Sequence, residues 1–154
     1  MKKVIITHND ANKRLDSFLK KILYNMPSSM IYKYLRKKRI KINGKKMDCS
    51  YRLKEKDVVE LYINDEFFDN SAYKYEFKNS SFKLDVVYED ENIIIINKPP
   101  GLIVHPDKES KNECLINRIK SYLYKNNEYD PENENSFAPS LVNRIDRNTS
   151  GMVI

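Results

Sequence analysis

Four consecutive isoleucines, Ile93–Ile96, run directly into Asn-Lys-Pro-Pro-Gly at residues 97–101. A strand that is apolar on both faces belongs inside a sheet and not at its edge. The two prolines fix φ twice, and Gly101 permits a close turn after them. The segment therefore predicts an internal strand that ends in a rigid corner. On residue chemistry alone, Lys98 is a surface lysine beside that corner.

The residues around this strand predict its neighbours. An acidic turn at 89–92 joins it to a preceding strand, and a helix is expected from about Cys114 to Lys125. After a polar loop, an apolar strand at 141–145 is expected to end near Arg144, Asp146 and Arg147. Residues 148–151 then turn the chain into another apolar strand.

Charge divides the chain of 154 residues, whose net charge is +6. Residues 1–63 hold 17 Lys and Arg against 6 Asp and Glu, whereas residues 64–154 hold 11 against 16. A basic unit followed by an acidic one indicates that polyanion binding is concentrated in the first. The polar stretch 64–82 has no clear period, so it is interpreted as a linker between a domain at 1–63 and a domain at 83–154.

The basic unit shows helical and strand patterns in turn. Leu15, Phe18, Leu19, Ile22 and Leu23 form one apolar helical stripe. Pro27 ends that helix, and the two serines after it offer a hydroxyl cap for a second. The dipeptide 43–44, Asn-Gly, predicts a tight hairpin, and a last strand is expected at 57–63. Two short helices packed on a small sheet would bury the stripe.

The stretch from Lys33 to Lys46 contains eight basic residues among fourteen and no acid. Each phosphate that a cation neutralises releases a condensed counterion, so several such contacts bind a nucleic acid tightly and salt-sensitively. Lysines and arginines on a rigid helix mostly contact the backbone and do not identify bases. The residues predicted to bind RNA are Arg14, Lys33, Arg36, Lys37, Lys38, Arg39, Lys41, Lys45, Lys46 and Arg147.

The stretch from Lys13 to Leu61 resembles the alpha-L RNA-binding motif, a small domain shared by a small-subunit ribosomal protein and several RNA-modifying enzymes. The matching segments are RLDSFL, SSMIYKYLRKKRIKING and YRLKEKDVV. Where that motif usually has a glycine before the hairpin strand, this chain has Lys38 and Arg39.

Several classes of protein are excluded. Four residues is the longest unbroken apolar run, far short of the roughly 20 residues that a membrane helix needs. The first residues lack the apolar stretch and cleavage site of a secretory signal. Cys49 and Cys114, the two cysteines, do not have metal-ligand spacing, which argues against a disulfide scaffold and a zinc module. We expect a cytoplasmic protein that needs neither a metal nor a membrane.

Asp146 is the candidate reactive group, because it lies between two arginines at a predicted strand end. Flanking arginines favour the charged carboxylate, which can act as a nucleophile or a base. On residue chemistry alone the favoured interpretation is an ordinary turn aspartate that pairs with an arginine. A glycoside hydrolase is a weak alternative, because no second carboxylate is suitably placed in the sequence.

The segments NKPPGLIVHP and NRIDRNTSG together resemble the paired signature of RluA-type pseudouridine synthases, which isomerise uridines in RNA. The resemblance implies that Asp146 is catalytic and that Arg144 helps to hold the target base out of the helix. Many members have a histidine where this chain has Asn143. The alpha-L motif commonly precedes the catalytic domain of these enzymes, so the three features occur here in the expected order.

The resemblance implies an α+β fold, in which a small two-helix, short-sheet RNA-binding domain precedes the first, incomplete part of a mixed, mostly antiparallel sheet. It also implies an isomerase that uses no cofactor and acts on ribosomal or transfer RNA, of which we favour ribosomal RNA. We expect a monomer. Family members continue beyond this signature, so we expect the chain to be a fragment that is inactive on its own. The alternative is a non-catalytic RNA-binding module.

Overall fold

The computed structural model describes residues 1–68, 76–108, 110 and 112–154. Within these ranges the strands are β1 (Lys2–Ile5), β2 (Ile40–Ile42), β3 (Val58–Leu61), β4 (Val86–Glu89), β5 (Ile94–Lys98) and β6 (Gly151–Val153). The α-helices are α1 (Leu15–Ile22), α2 (Ser28–Arg36) and α3 (Leu115–Lys125). Both sheets are antiparallel. The predicted α+β class is therefore confirmed.

The chain forms two compact units. The first contains the described residues up to 68 together with Pro131–Phe137, and the second contains the described residues of 76–130 together with Ala138–Ile154. Positions 69–75 of the predicted linker lie outside the described residues. The boundaries proposed at 63 and 83 therefore stay predictions.

The first unit packs two helices on a three-stranded sheet of order β1-β3-β2. Leu15, Phe18, Leu19 and Leu23 of the predicted stripe are fully buried, so the helical pattern is confirmed. The sequence analysis did not identify β1. It pairs with β3, where Lys2 lies opposite Leu61 and Ile5 lies opposite Val58.

The start of α2 differs from the prediction. Ser28 is the first residue of the helix, and no side-chain hydrogen bond caps it. The residue before it, Pro27, occupies the cap position and has no side-chain acceptor. Its carbonyl accepts from the amides of Met30 and Ile31 at 2.9 and 3.2 Å, so the helix starts on backbone bonds alone.

The predicted Asn43–Gly44 turn is present. Both residues have positive φ, 50° and 76°, and Ile42 and Lys45 exchange two backbone hydrogen bonds of 2.8 and 2.9 Å across it. The predicted hairpin extends no further than this pair, because β2 takes β3 as its partner, with Ile42 opposite Val59. The turn therefore reverses the chain without building a two-stranded ribbon.

The segment Pro131–Phe137, which we call the strap, packs against the first unit around the buried carboxylate of Asp10. Asp10 accepts from the hydroxyl of Ser136, the amide of Asn135 at 3.0 Å and the ammonium of Lys13 at 3.0 Å. Burial by itself raises the pKa of Asp10, but these hydrogen bonds and the charge of Lys13 bring the pKa below its ordinary value.

Replacing the carboxylate of Asp10 tests how much its hydrogen bonds to the strap contribute to stability. We expect Asp10→Asn to lower the free energy of unfolding by about 1.5 to 3 kcal/mol near neutral pH, because charge-assisted hydrogen bonds to a buried group are lost. The folded pKa lies below the unfolded one. The contribution of Asp10 is therefore present above about pH 4 and is lost as the pH falls through the folded pKa.

Urea titrations at several pH values measure this effect. Asp65→Asn, at an exposed position, is the control and should change stability by less than about 0.5 kcal/mol. Equal stabilities of Asp10→Asn and the unsubstituted protein at pH 7 would contradict the prediction.

The second unit has a sheet of order β4-β5-β6, in which β5 is central. The prediction that the isoleucine strand is internal is confirmed. Its buried Ile96 packs with Leu102, Leu115, Ile119 and Val153, which join the sheet to α3. At the predicted corner Gly101 has a φ of 86°, where a residue with a Cβ would be strained.

The predicted strand at 141–145 is wrong, because this segment has no regular structure. One backbone bond, from the amide of Val142 to the carbonyl of Ile154 at 2.7 Å, attaches it to the end of β6. The side chain of Asn143 then donates to the carbonyl of Met152 at 3.1 Å and accepts from the amide of Ile154 at 3.0 Å. The side-chain amide of Asn143 thus forms the hydrogen bonds that a neighbouring strand's backbone would otherwise form with β6 and Ile154.

None of the helices in the described ranges has the length and apolar character needed to cross a membrane.

Candidate active site and RNA-binding surface

The end of α2 presents the basic residues of the first unit. Lys33, Arg36, Lys37, Lys38 and Arg39 are all exposed, while Ile31 and Leu35 of the same helix are buried. The helix therefore separates an apolar inner face from a cationic outer face.

Aromatic rings lie beside two of the cations that are predicted to bind RNA. The guanidinium of Arg39 lies 5.6 Å from the ring centre of Tyr34, and the ammonium of Lys41 lies 5.3 Å from that of Tyr62. Lys45 and Lys46 are exposed at and after the Asn43–Gly44 turn. Cations held over rings keep their charge and lose part of their freedom, which suits contacts to phosphate.

Arg14 differs from the other residues predicted to bind RNA. Its guanidinium donates to both carboxylate oxygens of Asp16, at 3.1 and 2.9 Å. The hydrogen bond from Arg14 is the main reason why the pKa of Asp16 is lowered. Arg14 is thus already paired with an acid, whereas the described residues place no acid on Lys33 or Arg36–Arg39.

In the second unit, Asp146 begins a turn and is exposed. Its carbonyl accepts from the amide of Thr149 at 3.1 Å, the bond expected across a β-turn. Arg144 is exposed as well. Asp146 is not part of the apolar cluster that packs the sheet on α3, so it is open to solvent.

Lys98 lies fully buried at the end of β5. Its ammonium donates to the carbonyls of Pro99 at 3.0 Å, Leu102 at 2.7 Å and Arg147 at 3.0 Å. Burial lowers the pKa of Lys98, and the negative charge of Asp146 partly opposes this change. The interpretation of Lys98 as a surface lysine is therefore wrong.

A pattern in the sequence could have revealed this burial. Ile94, Ile96 and Lys98 are two residues apart and so share one face of β5. Since Ile96 faces the core, Lys98 must face it too. The ammonium then needs acceptors, and the corner supplies its own carbonyls.

Arg147 is held from two directions. Its carbonyl accepts from the amide of Gly101 at 2.8 Å as well as from Lys98, and its guanidinium donates to Asp107 at 2.9 Å. The corner and the loop after it therefore fix the residue that follows Asp146. The sequence analysis did not single out Asp107.

The expected pairing of Asp146 with its two arginines is not observed. Among the described residues Arg147 forms its ion pair with Asp107, and neither arginine pairs with Asp146. The negative charge of Asp146 acts on the buried Lys98, whose pKa it raises.

A cavity of about 330 Å³ also lies in the second unit, between β5 and α3. Its lining includes Ile96, Leu102, Leu115 and Arg118, but Asp146 does not line it. We therefore do not assign the cavity to the chemistry of Asp146. Across the described ranges, no three His, Cys, Asp or Glu side chains come together in a group that could hold a metal ion.

Comparison with known families assigns both units. Residues 13–59 match the S4 domain, and residues 92–154 match the RNA pseudouridylate synthase family. The chain is 46% identical to an uncharacterised RNA pseudouridine synthase of Mycoplasma capricolum and 36% identical to one of Mycoplasma genitalium. It is 31% identical to the ribosomal large subunit pseudouridine synthase C of Escherichia coli K12.

These alignments cover 99 to 100% of the chain and 46 to 49% of the relatives. The chain thus spans about half the length of the relatives that it matches. An S4 domain followed by part of a pseudouridylate synthase domain defines the class. Residues 92–154 of the chain belong to the RNA pseudouridylate synthase family, and residues 13–59 are an S4 domain.

Proposed function

We propose that the protein isomerises uridine to pseudouridine in ribosomal RNA and that Asp146 is its catalytic residue. The observation that carries the proposal is an exposed carboxylate on a turn held by the buried Lys98, within the segment that matches the synthase family. A relative named for the large ribosomal subunit supports ribosomal RNA over transfer RNA as the substrate.

The proposed reaction breaks the bond between C1′ and N1 of uridine, turns the uracil and joins its C5 to C1′. C5 then loses its proton and N1, which is no longer bonded to C1′, gains one, so the product is an isomer of the substrate. One ionised carboxylate is enough to start this sequence, either by attacking C1′ or by removing a proton from the sugar. No redox change occurs, and the proposal includes no cofactor.

The target atoms are shielded in stacked RNA, so the base must leave the stack at a cost of a few kcal/mol. Phosphate contacts from the basic residues of the first unit can offset that cost. Arg144, exposed two residues before Asp146, is proposed to support the extruded base. Arg147 is proposed to contact phosphate, for which it would have to leave Asp107.

We also propose how the protein is organised. The S4 domain binds RNA, the segment from about residue 83 belongs to the synthase domain, and the protein acts as a monomer in the cytoplasm. Size-exclusion chromatography with light scattering tests the oligomeric state directly.

Pseudouridine mapping tests the reaction. Ribosomal RNA from cells that lack the gene should miss at least one pseudouridine, and re-expression of the gene should restore it. If the map is the same with and without the gene while the protein still binds RNA, the protein is a binding module and the proposed activity is wrong.

The RNA-binding surface makes a separate prediction. We expect the triple variant Lys37→Gln, Lys38→Gln, Arg39→Gln to weaken RNA binding. The slope of log K against log salt should fall by about 2 to 3, because each lost phosphate contact accounts for about 0.9. Fluorescence anisotropy with a labelled RNA stem-loop across a KCl series measures both quantities.

The matched control replaces Lys2, Lys3 and Lys54 by Gln. This triple variant changes the net charge equally but lies outside the stretch from Lys33 to Lys46. Equal losses of affinity in the two triple variants would show that net charge, and not this surface, determines binding.

A further inference from the structure

Lys38 is the second residue after Arg36, at which α2 ends. Its φ is 58°, in the left-handed region. Its amide donates to the carbonyl of Leu35 at 3.2 Å, and the amide of Arg39 donates to the carbonyl of Tyr34 at 3.0 Å. These two bonds form a Schellman motif, in which the left-handed residue is usually glycine because a Cβ is strained there.

The backbone strain at Lys38 arises because a lysine, and not a glycine or an asparagine, has this positive φ. Three of the other described residues with positive φ outside glycine are Asn12, Asn43 and Asn127. Asparagine tolerates this conformation, since its short polar side chain can hydrogen-bond locally. Lysine has no such compensation, so the backbone at Lys38 opposes folding.

Charge repulsion is added at the same place. Arg36, Lys37, Lys38 and Arg39 are consecutive and exposed, and within the described residues none of them forms an ion pair with an acid. The negative end of the helix dipole favours cations here, but by less than about 1 kcal/mol at an exposed site. The end of α2 therefore combines backbone strain with four like charges.

We infer that Lys38 binds a phosphate of RNA directly and that it occupies a strained position at the expense of the stability of the free protein. A polyanion removes the repulsion among the four cations, although it leaves the backbone conformation unchanged. The inference rests on the proposed RNA-binding function and goes further, because it separates the effects of one residue on stability and on affinity.

Lys56 supplies a matched control within the same unit. Its φ is 68° and its side chain is exposed, so it has the same strain. Glu55 and Asp57 flank it, so it lacks like-charged neighbours. It also lies outside the stretch from Lys33 to Lys46.

The experiment compares Lys38→Gly with Lys56→Gly in the full chain. Both variants should raise Tm by a few degrees, because glycine adopts the left-handed conformation without strain. Lys38→Gly alone should weaken binding to a labelled RNA stem-loop several-fold and reduce the salt slope by about 0.9. Lys38→Arg, which keeps the charge, should retain the slope.

The outcomes separate the inference from the proposed function. If Lys38→Gly keeps the affinity and salt slope while the triple variant at 37–39 loses them, the inference is wrong and the RNA-binding surface stands. If the triple variant also binds normally, the proposed surface is wrong. A fall in Tm for Lys38→Gly would show that the position is not strained, which would also overturn the inference.

Discussion

Asp146→Asn is expected to abolish pseudouridine formation by the protein while leaving RNA binding intact. The amide has nearly the shape of the carboxylate, but it can neither attack C1′ nor accept a proton. Since Asp146 is exposed on its turn, the substitution should not disturb the core. Loss of a positioned base or nucleophile lowers the rate by at least about a hundredfold.

The measurement is a pseudouridine map of ribosomal RNA from cells that lack the gene and express either version. Glu91→Gln is the matched control, because it also converts an exposed carboxylate of the second unit into an amide. It should behave like the unsubstituted protein. Full modification by Asp146→Asn would remove Asp146 from the catalytic role.

Lys98→Met should strongly destabilise the second unit. The methionine fills similar space but leaves the carbonyls of Pro99 and Leu102 without their donor, whereas the carbonyl of Arg147 keeps the amide of Gly101. An unsatisfied buried acceptor costs about 1 to 3 kcal/mol. Relief from burying an ammonium offsets part of this loss. The free energy of unfolding should therefore fall by about 2 to 4 kcal/mol.

Urea denaturation measures the change, with a lower midpoint and an unchanged slope expected. Lys83→Met is the control, because Lys83 is exposed and the same substitution there should alter stability by less than about 0.5 kcal/mol. A variant Lys98→Met as stable as this control would mean that the three carbonyl contacts contribute nothing. In that case the turn at Asp146 would need another anchor.

Helices and the internal strand were predictable because their information is local. The stripe of Leu15, Phe18, Leu19 and Leu23 repeats every three or four residues, and it is buried as that period requires. The isoleucine run likewise becomes the central strand β5. Apolar residues must leave water whatever their partners are, so a period is enough to predict the element.

The strand predicted at 141–145 is absent, which shows that the local sequence pattern is not sufficient to predict a strand. Its apolar residues fit a strand, but a strand also needs a partner for its backbone groups. In the structure the side chain of Asn143 takes the bonds that a ladder would use. Strand β1 was missed for the related reason that its partner, β3, lies more than fifty residues away in the sequence.

The candidate site shows the same division. Motif resemblance singled out Asp146, and an acidic group among arginines suggested charge pairing. Packing determined which groups pair with these charges. Arg147 pairs with Asp107, forty residues earlier, while Lys98 is drawn into the core with the alternate face of β5.

By itself the sequence determined the class of protein, the division between a basic and an acidic half, and the residue types available for chemistry. These follow from composition, hydrophobic periodicity and motifs, all of which can be read from the sequence without knowing which residues are in contact. Tertiary structure alone decided that the ammonium of Lys98 binds the carbonyl of Arg147 in the turn of Asp146 and that Ser136 of the strap binds Asp10. Such contacts join residues 49 to 126 positions apart, and only a folded chain brings them within hydrogen-bonding distance.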